Sequence, residues 1–267
     1  MTLFHLFIVA VIQGLTEFLP VSSSGHLILL PRLGGFDDQG QVIDVAAHVG
    51  TLLAVIVYFW PDVRGALGGL PRLLTGRIDT PGARLAFLLL VAAIPVIVVG
   101  LALNLTGFSD VLRSVAVIGW AMLLFGLLLY WMDQRGASIK SQADWTLRDA
   151  IRMGLWQALA LIPGTSRSGI TITGARALGY GRHDAAKLAM LMSIPTIIAS
   201  GVLMASEVAL RADVAAARDG LLAALLAFLA ALLALAVMMR LLRRVSFTPY
   251  VIYRVALGLV LLAIAYG

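Results

Sequence analysis

The chain has 267 residues, 61% of them hydrophobic and only 13% charged, with a mean hydropathy of +0.98. Soluble domains run about 45–50% apolar and about 25% charged, so one aqueous core cannot hold this excess and the solvent must be lipid. The lack of cysteine excludes disulfides and thiolate chemistry, and the net charge of +6 reads as basic cytoplasmic loops, with no nucleic-acid partner.

The first apolar run, 3–19, lacks a basic leader and a small-residue cleavage site and carries Glu17, so it reads as mature structure. Within it begins the stretch QGLTEFLPVSSSGH, residues 13–26. Gln13 and Glu17 are four residues apart and share one helical face. Pro20 stops the helix, and Ser22, Ser23, Ser24 and Gly25 then offer hydroxyls and unpaired amides at the start of a new helical segment, an anion-binding arrangement. His26 follows as a candidate for proton transfer. A carboxylate at bilayer depth costs about 2.5–3.5 kcal/mol on insertion scales, so Glu17 reads either as a buried partner of an arginine or as a cation ligand or proton acceptor.

Six later runs are long enough to cross a ~30 Å hydrocarbon layer: 42–60, 85–103, 114–132, 188–206, 220–239 and 249–266. Lys and Arg concentrate in 61–84, 132–152, 176–187 and 240–248, which are expected on the cytoplasmic side. The stretches 31–41, 104–113 and 207–219 hold only Arg32, Arg113, Arg211 and Arg218, diluted by acids such as Asp37, Asp38, Asp110, Glu207, Asp213 and Asp219, and are expected outside. Six crossings satisfy this pattern only if 1–31 and 149–180 each enter and leave on one face. Both are broken by Gly, Pro and Ser, as re-entrant helix–loop–helix segments require.

The second broken segment contains PGTSRSG, residues 163–169. Without gaps, 13–25 aligns on 157–169, sharing Gln-x-Leu and Ser-x-Ser-Gly. Each copy is followed by three crossings, so the halves would be inverted: 1–131, a linker 132–148, and 149–267. The expected fold is an all-α integral membrane protein with six full spans and two re-entrant segments in an inverted-topology repeat. Such repeats place their site where broken helices meet. Arg167 replaces the central serine of the first copy, and a guanidinium in a glycine-rich turn is a good fork for phosphate oxygens. The site is then Glu17 and Gln13 for a cation, Ser22, Ser24, Gly25, Ser166, Ser168 and Gly169 for phosphate, and Arg167 for charge.

The other polar residues read more plainly. His5 lies near the start, His183 in a basic loop, and His48 sits four residues after Asp44, a spacing that suggests a local structural bond. Tyr58, Phe59, Trp60, Tyr130 and Trp131 fall at the ends of crossings, where an interfacial belt explains them. Met190, Met192, Met238 and Met239 read as packing or lipid-facing.

At these motifs the chain resembles the undecaprenyl-diphosphate phosphatase family, bacterial membrane enzymes associated with bacitracin resistance. The likeness runs nearly end to end, through QGLTEFLPVSSSGH and PGTSRSG to VSFTPYVIYRVALG at 245–258. It implies hydrolysis of undecaprenyl diphosphate to the monophosphate and phosphate, with a divalent cation (Mg²⁺ or Ca²⁺), a homodimer, and a place in the bacterial inner membrane. The topology turns the first loop toward the external face. One departure is the Arg182–Lys187 helix, where Lys187 stands in place of an expected Glu. Three attacking groups stay open: Ser23, His26 and a metal-bound water. Ser23 is favoured, with His26 three residues on as its acid/base and His26 itself as rival nucleophile. A transporter or flippase of a polyprenyl phosphate is the alternative, since inverted repeats with broken helices also build transporters.

Overall fold

A computed structural model describes residues 2–29, 40–107, 112, 114–208 and 214–267, with side chains left out at 203–208 and 214–216. Among these residues the fold is helical, and the one β-type contact is an isolated bridge between Lys140 and Tyr180. The helices are α1 (Leu3–Phe18), α2 (Ser23–Leu27), α3 (Gln41–Tyr58), α4 (Trp60–Leu74), α5 (Pro81–Thr106) and α6 (Val115–Arg135). After a linker come α7 (Leu147–Ala158), α8 (Arg167–Ala177), α9 (Arg182–Val208), α10 (Val214–Leu241) and α11 (Thr248–Tyr266).

Six of these are long and apolar enough to cross a membrane: α3, α5, α6, α9, α10 and α11. They match the six apolar runs in the sequence. Two of them start at side-chain caps: the hydroxyls of Thr80 and Ser114 accept the amides of Ala83 and Val117, each satisfying one first-turn donor. α1, with 16 residues, rises only about 24 Å, and α7, with 12, about 18 Å. Neither spans by itself.

α10 lies against both α1 and α3, α7 lies against α5, and α6 pairs with α11. Small residues permit the closest approaches. A Cβ on Gly50 of α3 would stand 2.1 Å from the Ala224 carbonyl of α10, so no other residue fits there. Met190, Met192, Met238 and Met239 are buried in the main core and pack rather than face lipid. Trp60 and Trp131 are exposed, with Arg135 4.5 Å over the Trp131 ring, while Phe59 is buried.

The stretch 61–84, read as a loop, instead holds α4. Its arginines hide a helix that buries Val63 and meets α5 through Gly69. The four basic stretches come together at one end of the bundle. Asp133 accepts from Arg176 (3.1 Å), Arg182 (2.8 Å) and the Phe247 amide (3.2 Å). Asp62 of α4 accepts from Lys187 (2.8 Å) and from Gln142 of the linker (3.0 Å). The departure at Lys187 therefore has a structural explanation: its ammonium ties α9 to α4. Lys140 (3.0 Å) and the Tyr180 hydroxyl (2.8 Å) both donate to Asp149. Burial works against that carboxylate, but these partners outweigh it and hold its pKa below the ordinary Asp value. The stretches expected outside lie largely beyond the described residues, including Arg32, Asp37, Asp38, Asp110, Arg113, Arg211 and Asp213, as does the side chain of Glu207.

Candidate active site

α1 ends because Leu19 must be extended ahead of Pro20, and it is, at φ −66° and ψ 141°. The chain then turns through Ser22 at φ 72° and ψ 105° and starts α2 at Ser23. The second copy repeats this. Past α7 the chain runs through Pro163 and Gly164 (φ 90°) to Ser166 at φ 68° and ψ 113°, and α8 starts at Arg167. Among the described residues, Ser22 and Ser166 are the only non-glycine positions with positive φ, a backbone state that costs about 1–3 kcal/mol. Both turns close with the same hydroxyl pair, Ser22–Ser24 at 3.0 Å and Ser166–Ser168 at 3.1 Å.

The turns also bind each other. The Gly164 amide donates to Ser24 Oγ (3.1 Å), and Ser168 Oγ donates to the Leu19 carbonyl (3.1 Å). That exchange brings Ser23 and Arg167, equivalent positions in the two copies, onto one carboxylate. Arg167 Nη2 donates to Glu17 Oε1, and Ser23 Oγ donates to Glu17 Oε2 at 3.3 Å. Glu17 is 7% exposed and Arg167 17%. The structure thus gathers Gln13, Glu17, Ser22, Ser23, Ser24, Ser166, Arg167 and Ser168, with Gly25 and Gly169 opening the helices that follow.

Gln13 Nε2 donates one hydrogen to Glu17 Oε2 (2.7 Å) and the other toward His48 Nε2 (3.2 Å). His48 Nδ1 must carry a proton, because it donates to the Asp44 carbonyl at 2.7 Å. The local bond expected for His48 exists, but it goes to the backbone and turns the other nitrogen into the site, 3.8 Å from Glu17. The i, i+4 spacing with Asp44 masked this role. Gln13 Oε1 is left buried without a partner among the described residues. An unpaired amide oxygen beside a carboxylate and a hydroxyl is a hard-oxygen donor set. It fits a magnesium or calcium ion that takes its remaining ligands from substrate phosphates and water. No group of three His, Cys, Asp or Glu stands together among the described residues, so an all-protein cage is not the fit.

His26 departs from expectation. Its Nδ1 donates to the Ser22 carbonyl (2.7 Å), and its Nε2 meets the Tyr253 hydroxyl (2.6 Å), the rings stacked 5.5 Å apart. Neither nitrogen holds Ser23, whose hydroxyl goes to Glu17. The i, i+3 argument placed the two side chains together, but the turn at Ser22 offers the imidazole a nearer backbone acceptor. Tyr253, 227 residues away, was not legible as its partner.

The model of the bacitracin resistance protein BacA family matches residues 6–260, which include both turns and Tyr253. The chain belongs to this family. Over its full length it is 71% identical to the undecaprenyl-diphosphatase of Ruegeria pomeroyi and 70% to that of Jannaschia sp., covering all of each relative. A more distant undecaprenyl-diphosphatase, from Erythrobacter litoralis, is 44% identical over 98% of this chain and 99% of its own.

Proposed function

We propose that the protein hydrolyses undecaprenyl diphosphate to undecaprenyl phosphate and inorganic phosphate, returning the lipid carrier to cell-wall synthesis. Full-length relatives bear that activity in their names. The observation that carries the chemistry is the convergence of Ser23 and Arg167 on Glu17. A carrier of polyprenyl phosphate has no need of a hydroxyl aimed at a buried carboxylate.

Ser23 Oγ attacks the terminal phosphorus and gives its proton to Glu17 Oε2, which already accepts from it. The bond from that phosphorus to the bridging oxygen breaks, and undecaprenyl phosphate leaves. Arg167 moves from Glu17 Oε1 to the phosphoryl oxygens, so the carboxylate loses its cation when it must take a proton. Water then cleaves the phosphoserine, releasing phosphate and restoring the hydroxyl. His26 is the base left for that water: Nδ1–H is anchored on Ser22, so Nε2 has the lone pair, which now accepts from the Tyr253 hydroxyl and must turn to the water. Glu17 and Gln13 hold the divalent cation, which when bound neutralises phosphate charge.

The same reading takes 1–131 and 149–267 as inverted repeats joined by 132–148, with α1–α2 and α7–α8 re-entrant. Their support is the shortness of α1 and α7, the matching serine turns, and the packing of α1 on α10 and of α7 on α5. The clustered basic stretches favour a cytoplasmic end there and an outward-facing site in the bacterial plasma membrane.

The test is phosphate release from undecaprenyl diphosphate by the purified protein in lipid vesicles. Release should stop with chelator and return with Mg²⁺ or Ca²⁺. A folded sample that releases no phosphate under any of these conditions sinks the reading.

A further inference from the structure

Arg254 lies on α11, wholly buried, and none of the described acids pairs with it. Its Nη2 donates to the Gly164 carbonyl (3.1 Å) and the Thr165 carbonyl (2.8 Å), the two peptides just before Ser166. Its Nε and Nη1 have no partner among the described residues. A buried guanidinium with unpaired N–H groups and no counter-ion is unfavourable, so its retention requires a reason.

Packing does not supply that reason, because the molecule contains its own control. Arg254 sits four residues before Gly258, on the helix that crosses α6. Met122 sits four residues before Gly126, on α6 itself. Arg254 packs over Gly126, 3.4 Å from where a Cβ would be, and beneath Gly169, whose Cβ would meet Nη1 at 2.7 Å. Met122 packs over Gly258, also at 3.4 Å, and beneath Gly25, whose Cβ would meet its sulfur at 2.4 Å. Gly25 and Gly169 are equivalent in the two copies. One niche is filled by a neutral thioether and the other by a cation.

The difference follows what lies above. In a trans peptide the N–H points away from the C=O. With the Thr165 carbonyl drawn down onto Arg254, the Ser166 amide faces away from Arg254. The Gly169 amide is taken by Ser166 Oγ, but the Arg167 and Ser168 amides at the start of α8 have no partner within the helix and extend the same row of donors. The charges also fail to balance: Arg167 and Arg254 against Glu17 leave one positive charge, and a phosphoryl anion would neutralise it.

We propose that Arg254 is a positioning residue of the phosphate cradle. It holds the turn by the Gly164 and Thr165 carbonyls so that the Ser166 amide faces the substrate, and it supplies the positive charge that the bound anion balances. This rests on the phosphatase reading for the identity of the anion. Two variants and two readouts test it: Arg254→Met, which copies the first niche, and Arg254→Lys, assayed for kcat and KM and for the Tm shift caused by inorganic phosphate. Arg254→Met should match the wild-type Tm in phosphate-free buffer, lose the shift, and fall about 10²-fold in kcat, a loss typical of a preorganised electrostatic group. Arg254→Lys should keep the shift, because the charge remains, yet stay slow, because an ammonium on a shorter, flexible stem does not reach and fix the Gly164 and Thr165 carbonyls as the planar guanidinium does. If Arg254→Met fails to fold, Arg254→Lys decides alone: slow turnover with the shift intact supports the proposal. Wild-type kcat in either variant overturns it, as does an Arg254→Met that keeps the phosphate shift. Wild-type protein that shows the shift without releasing phosphate from undecaprenyl diphosphate would fail the phosphatase reading while leaving the role of Arg254 in anion binding standing.

Discussion

The two turns at 19–26 and 163–170 share a backbone and differ in what they carry. Both bend through a positive-φ serine, close with a Ser–Ser hydroxyl pair, and pass a glycine over a buried side chain from α6 or α11. At the next position one has Ser23 and the other Arg167, and three residues further one has His26 and the other Ile170. Beneath them lie Met122 and Arg254. The first turn brings a hydroxyl and an imidazole, the second brings positive charge. Chemistry on this scaffold sits where the copies disagree, and the shared positions build the frame.

That division can be broken most directly at Ser23. Ser23→Ala should lower turnover on the order of 10⁴-fold or more, as removal of a covalent nucleophile does. Substrate labelled with ³²P in its terminal phosphate should leave acid-stable label on the wild type and none on the variant. Acid-labile label persisting in Ser23→Ala would move the attack to His26. On the other turn, Arg167→Lys should cost about 10²–10³ in rate, because a point charge cannot replace the bidentate grip on a phosphoryl group. Near-normal phosphate release from that variant would reduce Arg167 to a structural partner of Glu17.

A smaller effect belongs to Tyr253→Phe. It removes one hydrogen bond from His26 and should slow kcat about 2–10-fold at unchanged KM, the range that a bond worth about 0.5–1.5 kcal/mol allows. The frame itself can be compared by paired substitutions. Ser166 Oγ accepts the Gly169 amide as a cap, whereas Ser22 makes no such bond. Ser166→Ala should therefore destabilise by about 1 kcal/mol more than Ser22→Ala in unfolding measurements. The least effect is expected at the linker. The folded-state pKa of Asp149 is depressed, so its contribution is present above the unfolded value of about 4 and fades as pH falls through the folded one. The Tm advantage of wild type over Asp149→Asn should be seen at pH 6 and disappear toward pH 3.

Much of this was legible in the sequence, for physical reasons that differ by region. The six spans follow from length and hydropathy, and the turns from Pro20, Pro163 and the glycines, because lipid permits few ways to stop a helix. Glu17, Ser23 and Arg167 could be joined because the repeat supplied a register between distant segments. His48 and Tyr253 could not, because their partners lie on other helices and their spacings suggested local or interfacial roles. α4 was hidden by its own arginines, whose density resembles that of a loop. Arg254 lies within the motif at 245–258, yet its meaning depends on two carbonyls about 90 positions away.

The pair formed by Glu17 and Arg167 spans 150 residues of sequence. At about 5–20 residues per second of synthesis, the carboxylate emerges roughly 8–30 s before its guanidinium. During that interval Glu17 lacks the guanidinium that it meets in the folded protein and has His48 and Gln13 of the first repeat beside it, and α1 has reason to wait at the membrane surface. Biogenesis would then proceed from the outside inward: spans inserted first, site closed last, and no half-made chain able to act on the lipid it serves.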